Sequence, residues 1–128
     1  MHKRSLKELL DFIEESIMLI RKRFEPIRTP DDFLHDDDML ARFDSIVLRI
    51  QTIGEALKNI DKHYHGFLEK AAPSLYWSQI IKLRDLISHH YVDLDADVIY
   101  MICNEKLDEL DTHVQMLLQT VDEYFLEE

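Results

Sequence analysis

The sequence predicts an all-α protein, an antiparallel bundle of four to five helices. Only two glycines and three prolines occur in 128 residues, too few turn formers for many short strands. Hydrophobic residues make up 46% of the chain, enough for a core and above the composition of disordered segments. Along most of the length they recur at steps of three or four, the period of a helix with one buried face. The size fits one domain spanning residues 1–128.

The elements follow in order. Ser5 with Glu8 forms a capping box, and behind it Leu6, Leu9, Ile13, Ile17, Ile20 and Phe24 trace a helical face ending near Pro26. Residues 26–38 read as a loop with Asp31, Asp32, Asp36, Asp37 and Asp38. That cluster reads as solvated charge, favourable before a helix N-terminus, and it lacks the glycine and ordered ligands of a calcium loop. A second helix starts near Asp38, with Met39, Phe43, Ile46, Ile50, Ile53, Leu57 and Ile60 along a coiled-coil-like seam. Gly54 inside it costs about 1 kcal/mol relative to alanine, which close packing against another helix or subunit would explain. Gly66 follows the helix end, where His63 and His65 point apart and read as solvated. Ser74 caps a third helix carrying Trp77, Ile80, Ile81, Arg84 and Ile87. Asp93 or Asp95 opens the last helical region, with Val98, Ile102, Leu107, Leu110, Val114, Leu117, Val121 and Tyr124 in its stripe. A break near Asn104 would make five helices of four.

Composition narrows the function. A net charge of -11 repels nucleic acid except at a local basic site. That argues against a general nucleic-acid coat and against DNA, but leaves room for a small shaped RNA site. Cys103, the single cysteine, sits among Met101, Ile102 and Leu107 and reads as a buried small hydrophobe rather than a nucleophile. No apolar run approaches the roughly 20 residues of a membrane span, and no signal-type segment follows the polar start. A cytoplasmic protein with no membrane partner is expected. The Glu-x-x-His spacing of di-iron bundles does not occur, and no metal or cofactor is expected.

Chemistry concentrates in Arg84-Asp85-Leu86-Ile87-Ser88-His89-His90-Tyr91. On one straight helix Arg84 and Tyr91 share a face, Asp85 and His89 share another, and Arg84 lies about 140° from His89. Either the helix ends between Arg84 and His89, or a second protomer completes the site. Arginine and histidine suit metal-independent phosphodiester cleavage. The guanidinium holds phosphate with a planar fork, and imidazole exchanges a proton near neutral pH. RNA brings its own nucleophile in the 2′-hydroxyl. Asp85 could orient His89 or tie down Arg84, and Tyr91 could bond phosphate or be modified. Spacing alone favours a mere capping and salt-bridge cluster, since a bare Arg-x4-His match is common by chance.

Arg84-Asp85-x-x-x-His89-x-Tyr91 resembles the Arg-Asn-x-x-x-His-x-Tyr signature of HepT-like ribonuclease toxins, a branch of the HEPN superfamily. Ile53-Gly54-Glu55-Ala56 resembles a segment of the second helix in that family, and Trp77 with Ile80-Ile81 resembles the run leading into the motif. The resemblance spans roughly residues 39 to 103. It implies an all-helical homodimer with active sites in a cleft near the two-fold axis. It implies metal-independent endoribonuclease activity with Arg84 and His89 catalytic and an RNA substrate, tRNA among the candidates. It also implies a type VII toxin–antitoxin pair, whose minimal nucleotidyltransferase antitoxin silences the toxin by moving AMP from ATP onto Tyr91. Asp85 departs from the family's asparagine, and a carboxylate there can pair with Arg84 or favour the charged form of His89. The alternative is a non-catalytic helical partner of a nucleotidyltransferase, which the -11 charge and Asp85 favour.

Overall fold

A computed structural model describes residues 3–90 and 95–126, with side chains from Leu6 to Ile87 and from Asp95 to Glu123. Among these residues every regular element is helical. The helices are α1 (Lys3–Phe24), α2 (Asp37–His63), α3 (Ser74–His90), α4 (Ala96–Met101) and α5 (Leu107–Leu126). A π-helical turn, Ile102–Lys106, joins α4 to α5 without interruption, so the α-helices among the described residues make four rods. The expected break at Asn104 is a change of winding, not an end.

Cross-contacts fix the directions. Arg42 Nη1, early in α2, donates to the carbonyl of Arg23 at the end of α1. Arg21, late in α1, pairs with Asp108 and Asp111 at the start of α5. Gly54 of α2 meets Arg84 of α3. Asp61, late in α2, lines one pocket with Ser74 and Trp77 at the start of α3, so α1–α2, α2–α3 and α1–α5 are each antiparallel.

The core forms from the inward stripes. Leu6, Leu10, Ile13, Ile17 and Ile20 are buried on α1, while Leu9 and Phe24 are only partly covered. α2 lies between α1 and α3, which is why its buried face widens beyond the expected seam to include Val47, Gly54 and Ala56. Phe24, Phe33, Phe43 and Tyr100 form a chain of tilted rings with centroids 5.1 to 6.2 Å apart, locking the α1–α2 connection to α4.

Local chemistry revises several boundaries. α1 already covers Lys3 and Arg4, good helix formers, so Ser5 lies inside its first turn and not at the cap. Residues 26–38 are not a plain loop. Pro30–Leu34 is a 3-10 helix with a Thr29/Asp32 capping box and a buried Phe33. The Asp32 carboxylate accepts from the backbone N–H of Arg28 at 2.7 Å and of Thr29 at 3.0 Å. Those bonds hold it below the usual carboxylate range. Asp36, two residues before the expected start, caps α2 by accepting from the Met39 N–H at 2.9 Å. Gly66 follows α2 with a φ of 83°, a left-handed turn that suits glycine. α3 takes Ser74 as its first residue. Asp95 caps α4 by accepting from the Asp97 N–H, and Asp93 lies outside the described residues. Ile99 and Cys103 take the buried positions expected of Val98 and Ile102, since they step by four into Leu107 whereas Ile102 lies five residues from it, and Val98 is left exposed.

Candidate active site

α3 carries the octet from Arg84 as far as His90, and its placement begins with Trp77. The buried indole donates its N–H to the carbonyls of Leu68 at 2.8 Å and Ala72 at 3.0 Å. Left unpaired, that N–H would cost about 1–3 kcal/mol. The tie holds the start of α3 to the α2–α3 connection, and buried Ile87 secures the other end.

Between these anchors α3 crosses α2 at Gly54. A Cβ built on Gly54 would lie 2.3 Å from Arg84 Cβ and 2.9 Å from Arg84 Cγ, closer than real side chains approach. Only glycine lets the two helices meet here, so the close packing expected at Gly54 is with a helix of the same chain. The contact fixes the stem of Arg84.

The guanidinium is held by two carboxylates. Nη1 donates to Asp85 Oδ1 at 2.7 Å, and Nη2 donates to Glu55 Oε2 on α2. The bonds to Asp85 and then Glu55 raise the Arg84 pKa above the ordinary arginine value, keeping the group cationic. Its Nε–H is buried without a partner among the described residues. Two carboxylates around one cation leave the spot locally negative. An incoming phosphate must share or displace a carboxylate. Asp85 and Glu55 are about half exposed, and pairs of that kind contribute no more than about 1 kcal/mol each, so displacement is within reach of a bound anion.

α3 runs unbroken through His90. That removes the first of the two routes to convergence, a helix end between Arg84 and His89. The two residues share the last turns of α3 but not one face of it. The His89 side chain and the whole of Tyr91 lie outside the described residues. Of the roles open to Asp85, the contact with Arg84 is present. Glu55 went unassigned in the sequence because its partner is 29 residues away. The Ile53-Gly54-Glu55-Ala56 segment was the available signal.

An apolar cavity of about 320 Å³ opens between α2, α3 and α4–α5, with Ile53, Ile80, Leu83, Val98 and Met101 in its walls. It backs onto the Gly54–Arg84 crossing, since Ile53 and Leu83 are the chain neighbours of those residues. Cys103 is buried and burial pushes its thiol up to about 12, so it is no nucleophile at neutral pH. Among the described residues no group of three or more His, Cys, Asp or Glu is placed to hold a metal ion. No helix among them is long and apolar enough to cross a membrane.

An all-helical bundle that presents Arg-x4-His near the end of one helix, with the arginine seated on a glycine of its neighbour, is a protein of the HEPN type. The family model described as ribonuclease HepT-like matches residues 13–117. The chain belongs to the HepT-like ribonuclease family. It is 31% identical over 108 residues to the "Probable ribonuclease HepT" of Thermococcus cleftensis, covering 84% of this chain and 91% of that protein. It is 26% identical over 120 residues to a Methanocaldococcus jannaschii protein named as a gamma-glutamylcyclotransferase and candidate RNase, covering 94% of this chain and 50% of that one. A candidate RNase of Caldanaerobacter subterraneus is 30% identical over 89 residues, 70% of this chain and 73% of that protein. No solved structure gives a significant match.

Proposed function

We propose that the chain is a metal-independent endoribonuclease acting as the toxin of a toxin–antitoxin pair. Arg84 binds the scissile phosphate and stabilises the charge that grows on it. His89 carries the proton transfer. The ribose 2′-oxygen attacks phosphorus, the bond to the 5′-oxygen breaks, and that oxygen takes a proton, leaving a 2′,3′-cyclic phosphate. The observation that carries the reading is the seating of Arg84. A long, flexible cation is fixed at its stem by Gly54, and its buried Nε–H has no partner among the described residues.

Arg84 and His89 lie five residues apart on one continuous helix, about 140° around it. A homodimer that joins Arg84 of one protomer with His89 of its partner answers that geometry. In the same reading a nucleotidyltransferase antitoxin transfers AMP from ATP onto the Tyr91 hydroxyl and releases pyrophosphate. The added phosphate would occupy the guanidinium and repel RNA.

The test uses purified protein and a short RNA in the presence of EDTA. Arg84→Ala and His89→Ala each abolish cleavage while the dimer, measured by light scattering, persists. Full activity in either variant removes that residue from the reading. After co-expression with the nucleotidyltransferase, intact-mass spectrometry shows added AMP that Tyr91→Phe eliminates.

A second reading is a non-catalytic partner of the nucleotidyltransferase. The pairing of Arg84 with both Asp85 and Glu55 favours it. It predicts complex formation without any RNA cleavage.

A further inference from the structure

We propose that Glu55 is a positioning residue for Arg84 and sets the rate of RNA cleavage while opposing RNA binding. The inference rests on the reading of Arg84 as the phosphate-binding group.

An arginine head remains free to turn even when its stem is fixed. Gly54 fixes Cβ and Cγ of Arg84. Asp85 then holds Nη1, but it is the next residue on the same helix and moves with it. Glu55 holds Nη2 from α2, the opposite wall of the crossing. Two anchors on two nitrogens, from two helices, fix the plane of the guanidinium. They leave one proton on each Nη for phosphate, while the Nε–H stays buried. A fork held in one plane loses less freedom when it binds, and its alignment is what a transition state rewards.

The same carboxylate is electrostatically unfavourable to RNA. Glu55 brings a negative charge to the group that must meet a phosphate. The two effects have opposite signs, so they separate in kinetics. A surface salt bridge with only a structural role would shift stability slightly and leave that split absent.

The experiment measures kcat and KM on a short RNA for Glu55→Ala, Glu55→Gln and Glu55→Asp. It also measures affinity for the same RNA carrying 2′-O-methyl groups, which binds but cannot attack. Glu55→Ala lowers kcat by about tenfold or more, while KM and the dissociation constant for methylated RNA fall. Glu55→Gln keeps an acceptor for Nη2 and recovers most of the lost rate. Glu55→Asp keeps the charge but shortens the reach by one methylene, and it behaves like Glu55→Ala. A kcat for Glu55→Ala within about twofold of the parent protein overturns the proposal. So does a rate that glutamine fails to recover, or a Glu55→Asp variant as fast as the parent. Arg84→Ala, assayed alongside, separates the two levels. If it is inactive while Glu55→Ala is normal, only the positioning role fails. If it cleaves normally, or if the parent protein never cleaves, the reading of Arg84 fails and the role of Glu55 with it.

Discussion

Gly54→Ala is the most informative single change away from the reactive groups. The added Cβ would fall 2.3 Å from Arg84 Cβ, and ordinary contact begins at 3.4 Å. Arg84 Cβ is fixed to the α3 backbone, so no rotamer change relieves the overlap. The crossing must open by roughly 1 Å, an overpacking strain that typically costs about 1–3 kcal/mol. Against this, alanine gains about 1 kcal/mol of helix propensity over glycine. The net loss of stability is therefore modest, about 0–2 kcal/mol. The loss of activity is not modest, because a 1 Å displacement of a catalytic group can cost about a hundredfold in rate. Urea unfolding and RNA cleavage, measured on the same preparation, give the two numbers. Gly66→Ala is the control. Nothing lies within 4 Å of its added Cβ, but its φ of +83° makes alanine strained there. It should lose about 1–2 kcal/mol of stability and keep its activity. A Gly54→Ala protein that cleaves within about threefold of the parent, or gains the full helix-propensity term, would refute the account of the crossing.

Two further changes probe charge. Asp85→Asn removes one of the carboxylates on Arg84 while keeping an oxygen acceptor, so RNA affinity should rise by up to about fivefold, the equivalent of 1 kcal/mol; weaker binding in a titration with 2′-O-methyl RNA would contradict this. Asp32 has a folded pKa below its ordinary value because the N–H groups of Arg28 and Thr29 bond its charged form. Its contribution is present above the ordinary carboxylate pKa and is lost as pH falls through the lowered folded value. Asp32→Asn should therefore flatten part of the fall in urea midpoint between about pH 5 and pH 3, and an unchanged acid limb would count against those two bonds.

The helical architecture was legible because its signals are local. The seam from Phe43 to Ile60, the stop at Pro26 and the cap at Asp95 each depend on residues a few positions apart. Departures arose where local rules give way. Asp32 looked like one of five solvated aspartates, and only the 3-10 turn shows that it caps Thr29. Val98 and Ile102 are four apart, but Ile102 is five residues from Leu107, and it is Ile99 and Cys103, stepping by four into Leu107, that enter the core. The site divides the same way. Arg84 and Asp85 were legible as neighbours in one motif. Gly54 was legible as a cost that needed a reason, and the reason is the stem of Arg84. Glu55 meets Arg84 only once α2 and α3 lie antiparallel, so periodicity could not assign it.

The central claim is that the arginine–histidine pair on α3 serves metal-independent attack by the 2′-hydroxyl. Its most direct test is the chemistry of the cut ends, read by mass spectrometry after the purified protein is incubated with a short RNA in EDTA. The account predicts a 2′,3′-cyclic phosphate on one fragment and a 5′-hydroxyl on the other, with no product when the RNA is 2′-O-methylated. Cleavage that requires added divalent metal, or that leaves a 5′-phosphate and a 3′-hydroxyl, would contradict it.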